Sequence, residues 1–216
     1  MRLIISIVGK SHSGKTTLLE SLIAELKRRS YKVAIVKHSH HADVLDKASK
    51  DTWRFTQAGS ELSAINSLDH LAIYRRIDHF FDPQEISDFI IWDYDVILTE
   101  GFKGSSYPKI EVHRAEQGKD LVTDPSQLLA AVTDEPLDVK APQLSKDDIH
   151  GIADIIEKEI LGRRKENEID LMVNGEKVDL SASQQDLLAR TMAAMVPSKP
   201  GNGEVKSLHL SLRRQA

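Results

Sequence analysis

Gly9-Lys-Ser-His-Ser-Gly14-Lys15-Thr16 constrains this chain more than any other segment. It fits the spacing G-x-x-x-x-G-K-S/T, in which a curled backbone turns successive N–H groups onto a phosphate. Glycine is needed where a side chain would collide with that curl. The flanking residues agree with the motif. Before it, Leu3-Ile-Ile-Ser-Ile-Val8 is a short β-branched apolar run with no polar face, the pattern of a strand covered on both sides. After it, Leu18, Leu19, Leu22, Ile23 and Leu26 share one face of a helix that closes on Lys27-Arg28-Arg29, cations suited to the negative helix end. Val33-Ala-Ile-Val36 then reads as a second buried strand. Strand, loop, helix and strand in about 35 residues make a βαβ unit, which requires parallel pairing and a right-handed crossover.

In such a loop Lys15 neutralises the β- and γ-phosphates, the Thr16 hydroxyl faces Mg²⁺, and the helix adds its positive dipole end. Gly9, Lys10, Ser11, His12, Ser13, Gly14 and Thr17 complete the expected cradle. Glu100 is its natural second member. It ends the buried strand Val96-Ile-Leu98, at the carboxyl edge of a parallel sheet where ligands bind. An acid there holds Mg²⁺ or orients water, so Thr16 and Glu100 are the expected metal pair and Lys15 and Glu100 the catalytic one. Asp95 opens the same strand and belongs to the wrong end. Asp134 follows the strand candidate 128–132; a carboxylate there suits the paired N–H donors of guanine and leaves adenine unmatched.

The other elements support one α/β domain. Residues 51–57 suggest a short helix stopped by Gly59, and 62–66 and 71–74 suggest strands. Asp82-Pro83-Gln84-Glu85 carries an N-cap, a proline at the first helical position and a carboxylate at the third, with Ile86, Phe89 and Ile90 directed to the core. Residues 109–112 are a further strand, and Ser145 is the expected cap of a helix whose Ile149, Ile152, Ile155, Ile156 and Ile160 share a face. A charged, apolar-free linker follows at 162–168. Beyond it, alternating Ile169, Leu171 and Val173, the turn signal Asn174-Gly175, Val178 and Leu180, a helix over 184–195 and alternating Leu208, Leu210 and Leu212 spell a small ββαβ unit. The expected division is therefore 1–161, linker 162–168 and appendage 169–216: a mostly parallel sheet flanked by helices, with a small C-terminal extension. About 48 residues barely bury a core alone, so the extension is expected to pack on the main domain or on a second copy.

Composition closes several routes. With no cysteine among 216 residues there is no disulfide framework, thiol nucleophile or zinc ribbon, and any metal must use oxygen or imidazole ligands. A net charge of -4 argues against a duplex nucleic-acid partner, which needs a basic field. No apolar stretch has the length of a membrane span or the form of a signal peptide, so a cytoplasmic protein is expected. Lys37-His38-Ser-His40-His41 admits three readings: imidazole binding of a metal, contacts to phosphate or pterin, and plain loop polarity. Lys50, Asp51 and Arg54 lie close to the expected nucleotide face, or are simply solvated helix charges.

GKSHSGKTT, KHSHH, SKDTWRFTQAG, TEGFK and PKIEVHR, in this order, resemble the molybdopterin-guanine dinucleotide biosynthesis protein B family, MobB, over residues 3–161. The resemblance implies a homodimeric P-loop protein that binds GTP and Mg²⁺ and hydrolyses GTP weakly. It implies an accessory role to the guanylyltransferase that attaches GMP to molybdopterin, with these two as partners. By motif match the nucleotide and Mg²⁺ roles fall on Gly14, Lys15, Thr16 and Glu100. Ser49 departs from the glycine usual in the family before Lys50-Asp51, and the tail after Glu168 is absent from short members. Two other functions compete: a metal-insertion chaperone using His38, His40 and His41, and a small-molecule kinase, for which the only lid candidate, 114–119, is short.

Overall fold

The computed structural model describes residues 3–38, 51–89, 94–118, 120–163, 169, 171–173 and 176–195. Ile90, the sequence 39–50 with His40, His41, Ser49 and Lys50, and the strand expected around Leu208 to Leu212 lie outside these residues.

Six strands make the central sheet: β1 (Ile4–Val8), β2 (Val33–Lys37), β5 (Val96–Glu100), β6 (Lys109–Val112), β7 (Leu128–Val132) and β8 (Gln143–Leu144). Their order is β2-β5-β1-β6-β7-β8, and every pair is parallel. The expected βαβ unit is present, with α1 (Lys15–Arg28) crossing over from β1, yet β5 inserts between β1 and β2. That insertion makes β1 central, and all its residues are buried. β2 falls at the sheet edge, so the fully buried strand expected there is corrected: only Ala34 is buried and Ile35 is 42% exposed.

Leu18, Leu19, Leu22 and Leu26 of α1 and Ile152, Ala153, Ile156 and Ile160 of α4 (Ile149–Arg163) pack on one face of the sheet, against Ile5, Ile7, Leu98, Ile110 and Val132. Each of the leucine, isoleucine and valine side chains contributes about 1.5–3 kcal/mol on burial. The C-terminal end of α1 is tied to α4 by charge. Arg28 and Arg29 hydrogen-bond Glu25, and Arg29 Nη1 reaches Asp154 and Glu157 at 2.7 Å each. Asp148 Oδ1 accepts the Gly151 N–H at 2.9 Å, so the cap of α4 sits three residues beyond the expected Ser145. α4 also runs through Gly162 to Arg163, into the stretch read as linker.

On the other face β6 carries charge. Lys109 Nζ donates to the carbonyls of Ser105 and Tyr107 and to Gln127 Oε1, and Glu111 accepts the N–H groups of Val122 and Thr123. His113 Nε2 lies 3.1 Å from Glu135 Oε1. Lys109, Glu111 and His113 are all buried, and each ties down a loop.

α2 (Asp51–Gln57), β3 (Leu62–Asn66), β4 (Leu71–Arg75) and α3 (Pro83–Phe89) lie in the β2 to β5 connection. β3 and β4 pair antiparallel, and Leu62, Leu71 and Ile73 share a face of this hairpin that is exposed. α3 has the expected cap: Asp82 Oδ1 accepts from Gln84 and Glu85 N–H, and Glu85 Oε2 accepts the Asp82 N–H. In the extension β9 (Leu171–Val173) and β10 (Glu176–Val178) pair antiparallel and α5 (Ala182–Met195) follows. Ser181 and Gln184 cap α5 reciprocally, which starts it two residues earlier than the apolar pattern suggested.

Candidate functional site

The loop between β1 and α1 brings the expected residues together. Gly9 has φ +148, and a Cβ there would lie 2.3 Å from the Val112 carbonyl oxygen of β6, so the loop leaves β1 pressed against its neighbour. Gly14 takes φ 96 at the entrance to α1. Ser13 is buried, and among the described residues no group hydrogen-bonds its Oγ. Lys15 Nζ donates to the Lys10 carbonyl at 2.8 Å across the loop. Burial holds the Lys15 ammonium below the ordinary lysine range; Glu100 opposes this, and Lys103 and Lys37 reinforce it. Three cations thus converge on one end of the loop, as an anion-binding centre requires.

Thr16 and Glu100 meet as expected: Thr16 Oγ1 donates to the carboxylate at 3.1 and 3.2 Å. β5 pairs with β1 at Ile7↔Glu100, and this register places the carboxylate beside the loop. Asp95, at the other end of β5, accepts the Lys32 N–H at 2.8 Å and is structural. A hydroxyl with one carboxylate is a donor set that suits Mg²⁺, which takes its remaining ligands from phosphate and water. The orphaned Ser13 hydroxyl and the glycine-shaped cradle fit a phosphate in the same place.

Behind the loop, residues 114–117 form a strap that the sequence suggested only as a short lid. Lys10 Nζ donates to the Gln117 carbonyl at 2.6 Å, and Gln117 Nε2 donates to the Ser11 carbonyl at 2.8 Å. Arg114 Nε donates to the Ser13 carbonyl at 3.1 Å. Asp134 joins the same assembly, because Oδ1 accepts the Ala115 N–H at 2.9 Å and Oδ2 the Arg114 guanidinium at 3.4 Å. The Ala115 N–H, then Arg114, hold its carboxyl below the usual range. His12, with φ 61, and Ser11 and Thr17 are exposed along the loop.

Of the KHSHH segment, Lys37 ends β2 and the His38 backbone N–H donates to the Glu100 carbonyl at 3.0 Å. The His38 ring packs against Phe80 and Phe102 at centroid distances of 4.8 and 5.0 Å. His40 and His41 lie outside the described residues, and among those described no group of three or more His, Cys, Asp and Glu is arranged to hold a metal. Arg54 pairs with Asp51 at 3.6 Å, and both are exposed. The sequence reading missed Arg114 as a loop contact and Phe80 and Phe102 as a cluster. Only the alternation of charge along Lys109, Glu111 and His113 hinted that β6 organises its surroundings.

A family profile described as Molybdopterin guanine dinucleotide synthesis protein B matches residues 4–134. The chain is 39% identical over 160 residues to a molybdopterin-guanine dinucleotide biosynthesis adapter protein of Haemophilus influenzae, covering 71% of this chain and 87% of the relative. It is 30% identical over 162 residues to the protein of the same name in Escherichia coli, covering 71% and 90%. Among solved structures, a molybdopterin-guanine biosynthesis protein B superposes with a TM-score of 0.55 at 29% identity, over 74% of this chain and 99% of that one. Bacillus subtilis MobB shares the fold at 23% identity, with a TM-score of 0.59 over 73% and 97%.

Proposed function

The chain belongs to the MobB family of adapter proteins in molybdopterin guanine dinucleotide biosynthesis, and we propose that it does this work by holding GTP with Mg²⁺ on the loop of residues 9–17. The observation that carries the reading is the meeting of Thr16 Oγ1 with Glu100 at 3.1 and 3.2 Å, beside Lys15. Lys15 and the loop N–H groups take the β- and γ-phosphates, and the α1 dipole adds to them. Mg²⁺, held by Thr16 and Glu100, would neutralise the charge between those phosphates. The nucleoside then runs to the opposite side, past Ser13 and Arg114, and Asp134, while holding the Ala115 N–H and Arg114, offers its remaining lone pairs to the guanine N1–H and N2–H₂ edge.

Hydrolysis is expected to be slow. Fast phosphoryl transfer draws on an arginine at the terminal phosphate. Arg114 is held behind the loop by the Ser13 carbonyl and Asp134, and the three cations that converge on the terminal-phosphate side, Lys15, Lys37 and Lys103, are all lysines. The function is accordingly to present GTP to a guanylyltransferase in the cytoplasm. A homodimer fits the exposed hairpin face of Leu62, Leu71 and Ile73, and residues 169–216 are proposed as an extension of this adapter.

The test is reconstitution with a purified guanylyltransferase, molybdopterin and limiting GTP. Dinucleotide formation should accelerate with this protein and not with Lys15→Ala. Equal acceleration by both would remove the nucleotide loop from the function.

A further inference from the structure

A cavity opens on the Glu100 side of the loop and extends beyond it. Its volume is about 660 Å³, within the range of small-ligand sites and several times what a terminal phosphate fills. Gly9, Ser11, Lys15 and Glu100 form one wall; the others come from His38, Phe80, Asp82 and the segment from Gly101 to Tyr107. Ser13, Gly14, Thr17, Arg114 and Asp134 are not among its lining residues. Since Thr16 and Glu100 mark the terminal-phosphate end, the nucleoside lies on the far side of the loop from this cavity.

The cavity is built, with an aromatic wall and a charged rim. Phe80 and Phe102 lie 5.7 Å apart between centroids, and the His38 ring touches both. Phe80 is 58% exposed, an apolar ring left facing solvent. Gly101 and Phe102 both take positive φ, 96 and 55, a conformation rare for a phenylalanine and of the kind that concentrates at ligand sites. A Cβ on Gly101 would lie 3.1 Å from His38 Cβ, so glycine lets β5 turn under the histidine. The buried Lys109 ammonium fixes the same wall by binding the Ser105 and Tyr107 carbonyls. Lys103 brings positive charge close enough to act on Lys15. Asp82 uses Oδ1 alone for the α3 N–H groups in the bonds described, so its second oxygen remains as an acceptor.

Aromatic faces select a flat ring, a lysine rim selects an anion, and a free carboxylate oxygen accepts an N–H at the ring edge. A pterin bearing an acidic substituent combines all three. We propose that this cavity binds an anionic pterin next to the terminal phosphate of the nucleotide, so that one loop presents both components of the dinucleotide. The inference rests on the nucleotide reading above and adds the second ligand to the same site.

The probe is pterin-6-carboxylate, read by its own fluorescence anisotropy, with and without a non-hydrolysable GTP analogue; the affinity of that analogue is measured in parallel. Wild type should bind the pterin with the analogue present. Phe80→Ala should weaken the pterin at least tenfold and leave the analogue within twofold, and Lys103→Glu should weaken the pterin at least tenfold. Displacement of the pterin by the analogue would show one shared nucleotide site and overturn the inference. So would absent pterin binding, or binding indifferent to both substitutions; the nucleotide reading then stands if the analogue still binds. Phe80-dependent pterin binding without analogue binding would keep the cavity assignment and sink the nucleotide reading.

Discussion

Replacing Gly9 by alanine tests whether the loop is pressed against β6 as the structure shows. The added Cβ would stand 2.3 Å from the Val112 carbonyl oxygen and 2.8 Å from Ser13 Oγ. Ordinary carbon–oxygen contacts begin near ~3.3 Å, so the first is about 1 Å too close, and its partner is backbone that cannot rotate away. Relief requires β1 and β6 to part, a distortion of the kind that costs about 1–3 kcal/mol. The positive φ adds a backbone penalty of about 1–2 kcal/mol. Together these reach about 2–5 kcal/mol, against a total stability of about 5–15 kcal/mol for a typical domain. Gly59 is the control: its φ is +106, but nothing lies within 4 Å of the added carbon, so only the backbone penalty applies. Urea unfolding followed by circular dichroism should rank wild type above Gly59→Ala and Gly59→Ala above Gly9→Ala. A Gly9→Ala protein within about 0.5 kcal/mol of the control would refute the close approach, since that is the scatter of a neutral surface change.

Three further outcomes follow from the site and its supports. Lys15→Ala loses charge-assisted bonds to phosphate worth about 1.5–3 kcal/mol each, so GTP affinity should fall roughly a hundredfold by calorimetry with the thermal midpoint nearly unchanged. Glu100→Ala should depress Mg²⁺-dependent GTP turnover more than GTP binding, and normal turnover in that variant would remove Glu100 from its role. Glu25 is held well below the usual carboxylate range by Arg28 and then Arg29, so its contribution is present above the pKa of a free glutamate, about 4.3, and is lost as pH falls below it. Glu25→Gln should therefore melt below wild type at neutral pH and approach it near pH 3; a gap that does not narrow in acid would refute the pairing.

The parts of the fold that were readable in the sequence are those set by neighbours along the chain. The glycine-rich loop between a buried strand and an amphipathic helix, and the Asp82-Pro83-Gln84-Glu85 cap, each need only a few consecutive residues, and both stand as read. β2 was misjudged because Val33-Ala-Ile-Val36 looks the same at the edge of a sheet as in its middle. Only the insertion of β5 beside β1 decides which. Ser145 and Asp148 are both good caps, and the pattern of isoleucines does not choose between them; the Gly151 N–H does. The two-residue β8 is too short to leave a pattern. The charged face of β6 escaped for a different reason. The burial of Lys109, Glu111 and His113 depends on distant carbonyls, N–H groups and Glu135, none of which is adjacent along the chain. The aromatic cluster likewise draws on three separated segments.

The central claim is that this loop holds a guanine nucleotide with Mg²⁺. Calorimetric titration of the full chain with GTP and with ATP, each with and without Mg²⁺, tests it most directly, with Asp134→Ala alongside. One GTP per chain should bind more tightly with Mg²⁺ than without, and ATP at least tenfold more weakly, with the preference reduced in Asp134→Ala. No GTP binding would contradict the account of the loop, and equal affinities for the two nucleotides in wild type would contradict its guanine selectivity.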